Sequence, residues 1–311
     1  MKRRIVCIVL ALFCVPALAT DRALLIGVAD YPDLPRRLWL RGPVNDVALM
    51  RDVLVARGMR PEHQRVLASR AGGADEPTRF NILAAMQAVR SAALPGDRIV
   101  LYLAGHGAQQ PQPANHGRRP VEADGMDEVF LPADVRQWDG VGSSAAIPNA
   151  LLDDEIGEWM DALVDAGATV FAVFDTCHAA GLARAGRGQR WRAVSAADLG
   201  LPLVRHRAGT VGHVSADNKS RAGRMNRTDG RVLAFAARSH EATGEEWLPR
   251  GARLGTNKVH GVFTYHFAAA LRSDEVLNAA QLERRVNSAY DKEQRVNPTP
   301  LFTGAADRAW P

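Results

Sequence analysis

Cysteine is nearly absent from this chain. The 311 residues hold three, Cys7, Cys14 and Cys177. The first two fall in an N-terminal segment expected to be removed, so no disulfide framework staples the mature fold. Lys2-Arg3-Arg4 forms a charged start, Ile5–Val15 an apolar run too short to span a bilayer, and Ala17-Leu18-Ala19 a small-x-small cleavage pattern. That order reads as a secretory signal peptide over residues 1–19 and implies a periplasmic or secreted protein. A lipid anchor on Cys14 is the other reading, but Phe13 stands where a small residue is expected. No later segment is long and apolar enough to cross a membrane, and no internal repeat is present.

Net charge is also small. The formal value is +5, and removing Lys2, Arg3 and Arg4 leaves 36 basic against 34 acidic residues, or +2. Arg184–Gly230 alone carries nine Arg and one Lys against three Asp, an excess of +7, so the rest of the mature chain is about −5. A basic insert on a mildly acidic body is not the footprint of a nucleic-acid-binding domain. No nucleic-acid partner and no membrane span after leader removal are expected. The 292 residues that remain (311 − 19) suffice for one large core. The expected division is a signal peptide, 1–19, then a single domain, 20–311, with a basic loop insert at about 184–230, acting as a monomer.

What is present is a set of apolar runs punctuated by glycine and proline. Arg22–Ala29, Asp97–Ala104, Ala168–Phe174 and Arg231–Ala237 read as buried strands, with His63–Ala68 and Glu128–Leu131 as shorter ones. Val44–Arg57, Pro77–Ala93, Leu151–Val164, His260–Leu271 and Val276–Lys292 read as helices. Gln109–Asp124 reads as a loop, and periodicity is lost between Gly181 and Arg231. Strands alternating with helices predict an α/β fold: a mostly parallel central sheet, helices on both faces, and a site at the strand C-termini.

Two of those strand ends carry chemistry. Ala168–Phe174 leads into Asp175-Thr176-Cys177-His178, and Asp97–Ala104 leads into Gly105-His106-Gly107, 71 residues upstream (177 − 106). A thiol nucleophile needs a base delivered beside it, and two strands each supplying one half at its C-terminal end meet that need. Cys177 is the candidate nucleophile and His106 the candidate base. His178 is adjacent in sequence, but neighbouring side chains in a turn diverge, so it reads as structural. Asp175, two residues before the nucleophile on the same side of a strand, can face the same cleft; otherwise it is an acceptor for nearby N–H groups. Asp46 reads either as a cleft residue or as a carboxylate favoured by a helix terminus.

Together these pieces resemble the caspase-like clan of cysteine peptidases, and within it the metacaspases of peptidase family C14 and their bacterial relatives. The matching stretches are Ala23–Val28, Gly42–Val47, Tyr102–Gln109, Asp127–Pro132, Asp153-Asp154-Glu155, Asp175–His178 and Gly261–Tyr265. They run in family order over most of residues 22–272. The resemblance implies the caspase-like fold and a cysteine endopeptidase acting through an acyl-enzyme on polypeptide substrates. It implies an oxyanion hole from the N–H groups of Gly107 and Cys177. It also implies that Asp46 and Asp175 line the S1 pocket and receive Arg or Lys at P1, the residue before the cut. Asp127, Asp153 and Asp154 match acidic positions that bind calcium in calcium-activated members, although Arg184 stands where a further acidic ligand belongs; the alternative is an acidic first helical turn that needs no ion. No cofactor is required by the chemistry itself. The insert is either a solvated loop or a segment cut at Arg or Lys by the same site. A catalytically silent peptide-binding or scaffold protein is the alternative to an enzyme.

Overall fold

Uninterrupted apolar runs are strands that bury both faces, and the chain has four of them side by side. The computed structural model describes residues 19–112, 125–141, 145–177, 190–202, 230–238, 241–253, 255–273 and 275–311. Residues 1–18, His178, Arg184 and residues 203–229 of the insert lie outside the described residues. In chain order the strands are β1 (Asp21–Gly27), β2 (Gln64–Ala68), β3 (Arg98–Ala104), β4 (Gly107–Pro111), β5 (Met126–Phe130) and β6 (Leu151–Leu152). They continue as β7 (Thr169–Asp175), β8 (Arg190–Trp191), β9 (Arg231–Phe235), β10 (Gly244–Leu248), β11 (Lys258–Gly261) and β12 (Leu301–Gly304). The helices are α1 (Gly42–Ala56), α2 (Arg79–Ala92), α3 (Asp153–Asp165), α4 (Val262–Leu271) and α5 (Ala279–Lys292).

The main sheet has six strands in the order β12-β9-β7-β3-β1-β2. Its first four pairings from β2 inward are parallel through to β9, and only β12 runs antiparallel. The two-residue period of a strand sorts its side chains into two cores. Leu24, Ile26, Leu101, Leu103, Ala172 and Phe174 pack under α2 and α3 on one face. Ala23, Leu25, Val100, Tyr102, Phe171 and Val173 pack under α1, α4 and α5 on the other. The expected caspase-like α/β architecture is therefore present, with helices on both faces.

Helix boundaries follow local chemistry. Thr78 caps α2, its hydroxyl accepting from Asn81 N at 3.3 Å. Ile82, Ala85, Met86 and Val89 then repeat at helical spacing on the buried face. Proline stands in the first turn of α1, and Gly58 follows its end at φ 96°, a left-handed conformation glycine adopts without strain.

Three readings from sequence are corrected. Residues 109–111, read as the start of a loop, belong to β4, which pairs antiparallel with β5 in a small sheet completed by β6. Residues 258–261 form a strand before α4 begins, so the helix expected from His260 starts at Val262. Residues 190–202 of the insert are not a solvated loop. They include β8, which pairs with β10 in a third sheet, and they bury Arg192, Val194, Leu199 and Leu201.

Candidate active site

β3 and β7 are neighbours in the main sheet, and their register sets Ala104 opposite Asp175. The chain beyond each strand therefore leaves the same edge at the same level, bringing the Gly105–Gly107 turn beside Thr176 and Cys177. Gly105 keeps this turn uncrowded: a Cβ there would come within 3.1 Å of both the Phe130 ring and the Tyr31 hydroxyl. Tyr31 accepts from His106 N at 2.8 Å, and its ring lies 5.0 Å from the imidazole.

His106 is 2% exposed. Its Nε2 lies 2.5 Å from the Leu38 carbonyl, and because a carbonyl only accepts, Nε2 carries the hydrogen. The lone pair of the neutral ring is therefore on Nδ1. That atom is buried, and the Arg192 backbone lies beside the ring. Burial pushes the imidazole down to about 4, against the opposing pull of the Leu38 carbonyl. At neutral pH the ring is therefore uncharged.

Cys177 is buried, and its thiol donates to the Glu241 carbonyl. Its backbone N–H donates to the carbonyl oxygen of Arg192 at 3.2 Å, and Gly107 N donates to that same oxygen at 3.1 Å. Two N–H groups thus converge on one carbonyl oxygen, and that oxygen belongs to the insert.

The Arg192 side chain explains the carboxylates. Asp46, Asp175 and Arg192 are each fully buried, and the guanidinium pairs with both carboxylates: Nη1 to Asp175 Oδ2 at 2.9 Å, and Nη2 with Asp46 Oδ2. Glu245 of β10 closes the third side, 3.7 Å from Nη2. Burial alone would lower the affinity of Arg192 for its proton, but Asp175, Asp46 and Glu245 outweigh that and hold it above the ordinary value. Burial pushes the carboxyls of Asp175 and Glu245 up, with Arg192 opposing it in both.

Each acid is oriented by its own partners. Asp46 accepts from Gly261 N at 3.0 Å and from His260 Nδ1 at 2.9 Å. Asp175 accepts from Thr264 N at 3.1 Å. Glu245 accepts from Gly42 N at 2.7 Å. A Cβ on Gly261 would overlap the Asp175 carboxylate and sit 2.7 Å from the Arg192 guanidinium carbon, so only glycine leaves room for the cation.

The structure thus gathers Gly107, Cys177, Asp46 and Asp175 around Arg192, with His106 next to Gly107 in the chain. Sequence reasoning missed Glu245, the Leu38 carbonyl and Arg192 itself. Asp127, Asp153 and Asp154 are elsewhere. Asp127 lies on β5 and accepts from Gln112 Nε2 at 3.0 Å. Asp153 and Asp154 open α3, with Asp154 N donating to Asp153 Oδ1 at 2.9 Å. Among the described residues no group of three or more His, Cys, Asp or Glu is arranged to hold a metal ion.

Comparison with known proteins agrees with this arrangement. A family model described as "Metacaspase, peptidase C14 domain" matches residues 21–184. Metacaspase-1B of Aspergillus clavatus is 34% identical over 159 residues, covering 50% of this chain and 34% of that protein. Metacaspase-1 of Schizosaccharomyces pombe is 33% identical over 162 residues, covering 51% and 34%. The chain thus spans about a third of the length of these relatives. A solved structure of a protein from Geobacter sulfurreducens shares the fold, with a TM-score of 0.56 and 18% identity over 93% of this chain and 94% of that one. The family match ends before β8, so Arg192 and Glu245 lie beyond it. With more than half of its residues on the family model, the chain belongs to the metacaspase family, peptidase C14.

Proposed function

We propose that this chain is a cysteine endopeptidase that hydrolyses polypeptides after Arg or Lys, with Cys177 as nucleophile and His106 as general base and acid. The observation that carries the reading is the double capture of Arg192: its carbonyl oxygen lies between Gly107 N and Cys177 N while its guanidinium lies among Asp46, Asp175 and Glu245. A substrate residue before the cut needs both contacts at once. A basic side chain fits because three carboxylates face one cation.

Catalysis then follows from the residues in place. His106 Nδ1 takes the Cys177 thiol proton, and the thiolate sulfur forms a bond to the carbonyl carbon of the P1 residue. The carbonyl π electrons move onto its oxygen, which the N–H groups of Gly107 and Cys177 stabilise. Loss of one such donor typically costs about a hundredfold or more in turnover. Collapse breaks the C–N bond, and the imidazolium donates its proton to the departing amine. Water, losing a proton to His106, attacks the thioester, and the acid product leaves with Cys177 restored. The nucleophile and base are both side chains, so no cofactor is required.

The leader pattern of Lys2–Ala19 supports export to the periplasm or beyond, with residues 20–311 as one peptidase domain acting as a monomer. The enzyme reading is tested with fluorogenic peptides carrying Arg, Lys, Asp or Leu at P1, comparing wild type with Cys177→Ala. Turnover confined to Arg and Lys and lost in Cys177→Ala is the expected result. No turnover of any peptide, with the thiol reduced and the cleft emptied of Arg192, would shift the reading to a silent peptide-binding protein.

A further inference from the structure

At the end of the main sheet opposite His106 and Cys177, one buried carboxylate holds three strands at their starts. Asp97, which precedes β3, is fully buried. Its carbonyl accepts from Thr169 N, the first residue of β7, at 2.8 Å. The next residue, Arg98, donates its N–H to the Thr20 carbonyl at 3.2 Å, just before β1. The Asp97 side chain accepts on Oδ2 from Leu94 N at 3.0 Å and from Arg22 Nε at 3.3 Å. On Oδ1 it accepts from Thr20 N at 2.7 Å. The far ends of β3 and β7 lead to His106 and Cys177, so Asp97 anchors both of the strands that carry the proposed chemistry.

Resting on the leader reading above, we infer that scission of the Ala19–Thr20 bond turns Thr20 N into the ammonium partner of Asp97, so that leader removal completes a buried ion pair in the fold. In the uncut chain Thr20 N is an amide that gives its single hydrogen to Oδ1. A leader peptidase adds water across the bond. The water oxygen joins the Ala19 carbonyl carbon as the leader's carboxylate, and the C–N bond breaks with its electron pair going to nitrogen. Both water protons end on that nitrogen, which leaves as an ammonium below about pH 8.

The surroundings suit an ammonium better than an amide. A fully buried carboxylate needs its charge compensated. Among the described residues the cation against Asp97 is Arg22, which is 24% exposed and touches it through Nε at 3.3 Å. The Thr20 nitrogen is closer, at a distance typical of charge-assisted hydrogen bonds. There is also room for the hydrogens that Asp97 does not take. Ala19 is exposed, and with Thr20, Asp21, Met59, His63 and Arg98 it lines a cavity of about 510 Å³. With Ala19 gone, water in that space satisfies the two remaining ammonium hydrogens. The exported chain therefore holds the starts of β1, β3 and β7 more firmly than the precursor does.

The test uses the full chain exported by its own leader, in a Cys177→Ala background so that no peptidase activity enters. A second form carries one asparagine inserted between Ala19 and Thr20, which returns Thr20 N to an amide and moves the ammonium one residue outward. N-terminal sequencing is expected to find Thr20 first in the one and the asparagine first in the other. The form beginning at Thr20 is expected to melt at least about 3 °C higher, since hydrogen bonds between charged groups outweigh neutral ones. Asp97→Asn is expected to abolish that difference. An amine-acylating reagent is expected to label the Thr20 amine at least about tenfold more slowly than the asparagine amine, because a carboxylate in contact lowers the unprotonated fraction by that factor. The labelling comparison needs no Asp97 variant, so it decides even where Asp97→Asn does not fold. Equal melting and equal labelling, with Thr20 first, overturn the inference and leave the leader reading standing. A difference in melting that survives in folded Asp97→Asn also overturns it. An N-terminus other than Thr20 in the uninserted chain overturns the leader cut and the inference together.

Discussion

The Nη1 of Arg192 meets Asp175 twice, at the carboxylate Oδ2 at 2.9 Å and at the main-chain carbonyl at 3.0 Å. One strand-end residue thus binds the basic side chain through its own side chain and its backbone, two positions before the nucleophile. Removing one partner of a buried ion pair costs about 3–5 kcal/mol, because the other charge is left without compensation. Asp175→Asn keeps the shape and the backbone contact, so kcat/KM for Arg peptides is expected to fall by roughly a hundredfold or more. The Leu peptide serves as the control, and an equal loss on both would show that Asp175 acts through folding.

Gly261 gives a steric counterpart. Overpacking a tight site typically costs about 1–3 kcal/mol. Gly261→Ala is expected to lower the melting temperature and to raise KM for Arg peptides more than it lowers kcat, since its Cβ enters the space of Asp175 and the guanidinium. An unchanged KM would mean that the pocket accommodates its cation elsewhere.

Burial of His106 carries a pH signature. The unfolded side chain takes up its proton near pH 6.5, whereas the folded one holds out to about 4. Between those values the unfolded state binds more protons, so stability is present above about pH 6.5 and is lost as pH falls toward 4. Melting temperatures of wild type are therefore expected to fall more steeply over that window than those of His106→Gln. Burial raises Asp175 and Glu245 in both proteins, so the difference between the two curves isolates the imidazole. Parallel curves would contradict the buried neutral base.

Metal removal is expected to change nothing. Asp153 accepts from its own helix at Asp154 N, and among the described residues no acidic cluster is arranged around a cation. Peptide hydrolysis should be equal in calcium and in chelator. A rate that rises with calcium and loses that rise in Asp153→Asn would restore the calcium-site reading.

The parts legible in the sequence are those set by local pattern. β1, β3, β7 and β9 are buried on both faces, so their apolar runs are continuous, and two of them announce the chemistry that follows at Gly105-His106-Gly107 and at Cys177. The rest depends on contacts that local pattern does not carry. Arg192 sits in a basic stretch where any arginine looks solvated; its role comes from carboxylates at positions 46, 175 and 245 that only the fold brings together. Glu245 is followed by Glu246, which pairs with Arg295, so alternation along β10 sends one glutamate into the cleft and the other outward. The Leu38 carbonyl has no side-chain signature at all. β4 escaped notice because Gln109, Gln110 and Pro111 read as a loop, although its partner β5 pairs with all five of its residues.

The most direct test of the central claim is hydrolysis of peptides bearing Arg, Lys, Asp or Leu at P1 by the exported chain under reducing conditions, beside Cys177→Ala and His106→Ala. The account predicts turnover after Arg and Lys alone. It also predicts a loss of at least about a thousandfold in either variant, because nucleophile and base act as one unit. Turnover that survives in Cys177→Ala, or that prefers Asp or Leu, would contradict it.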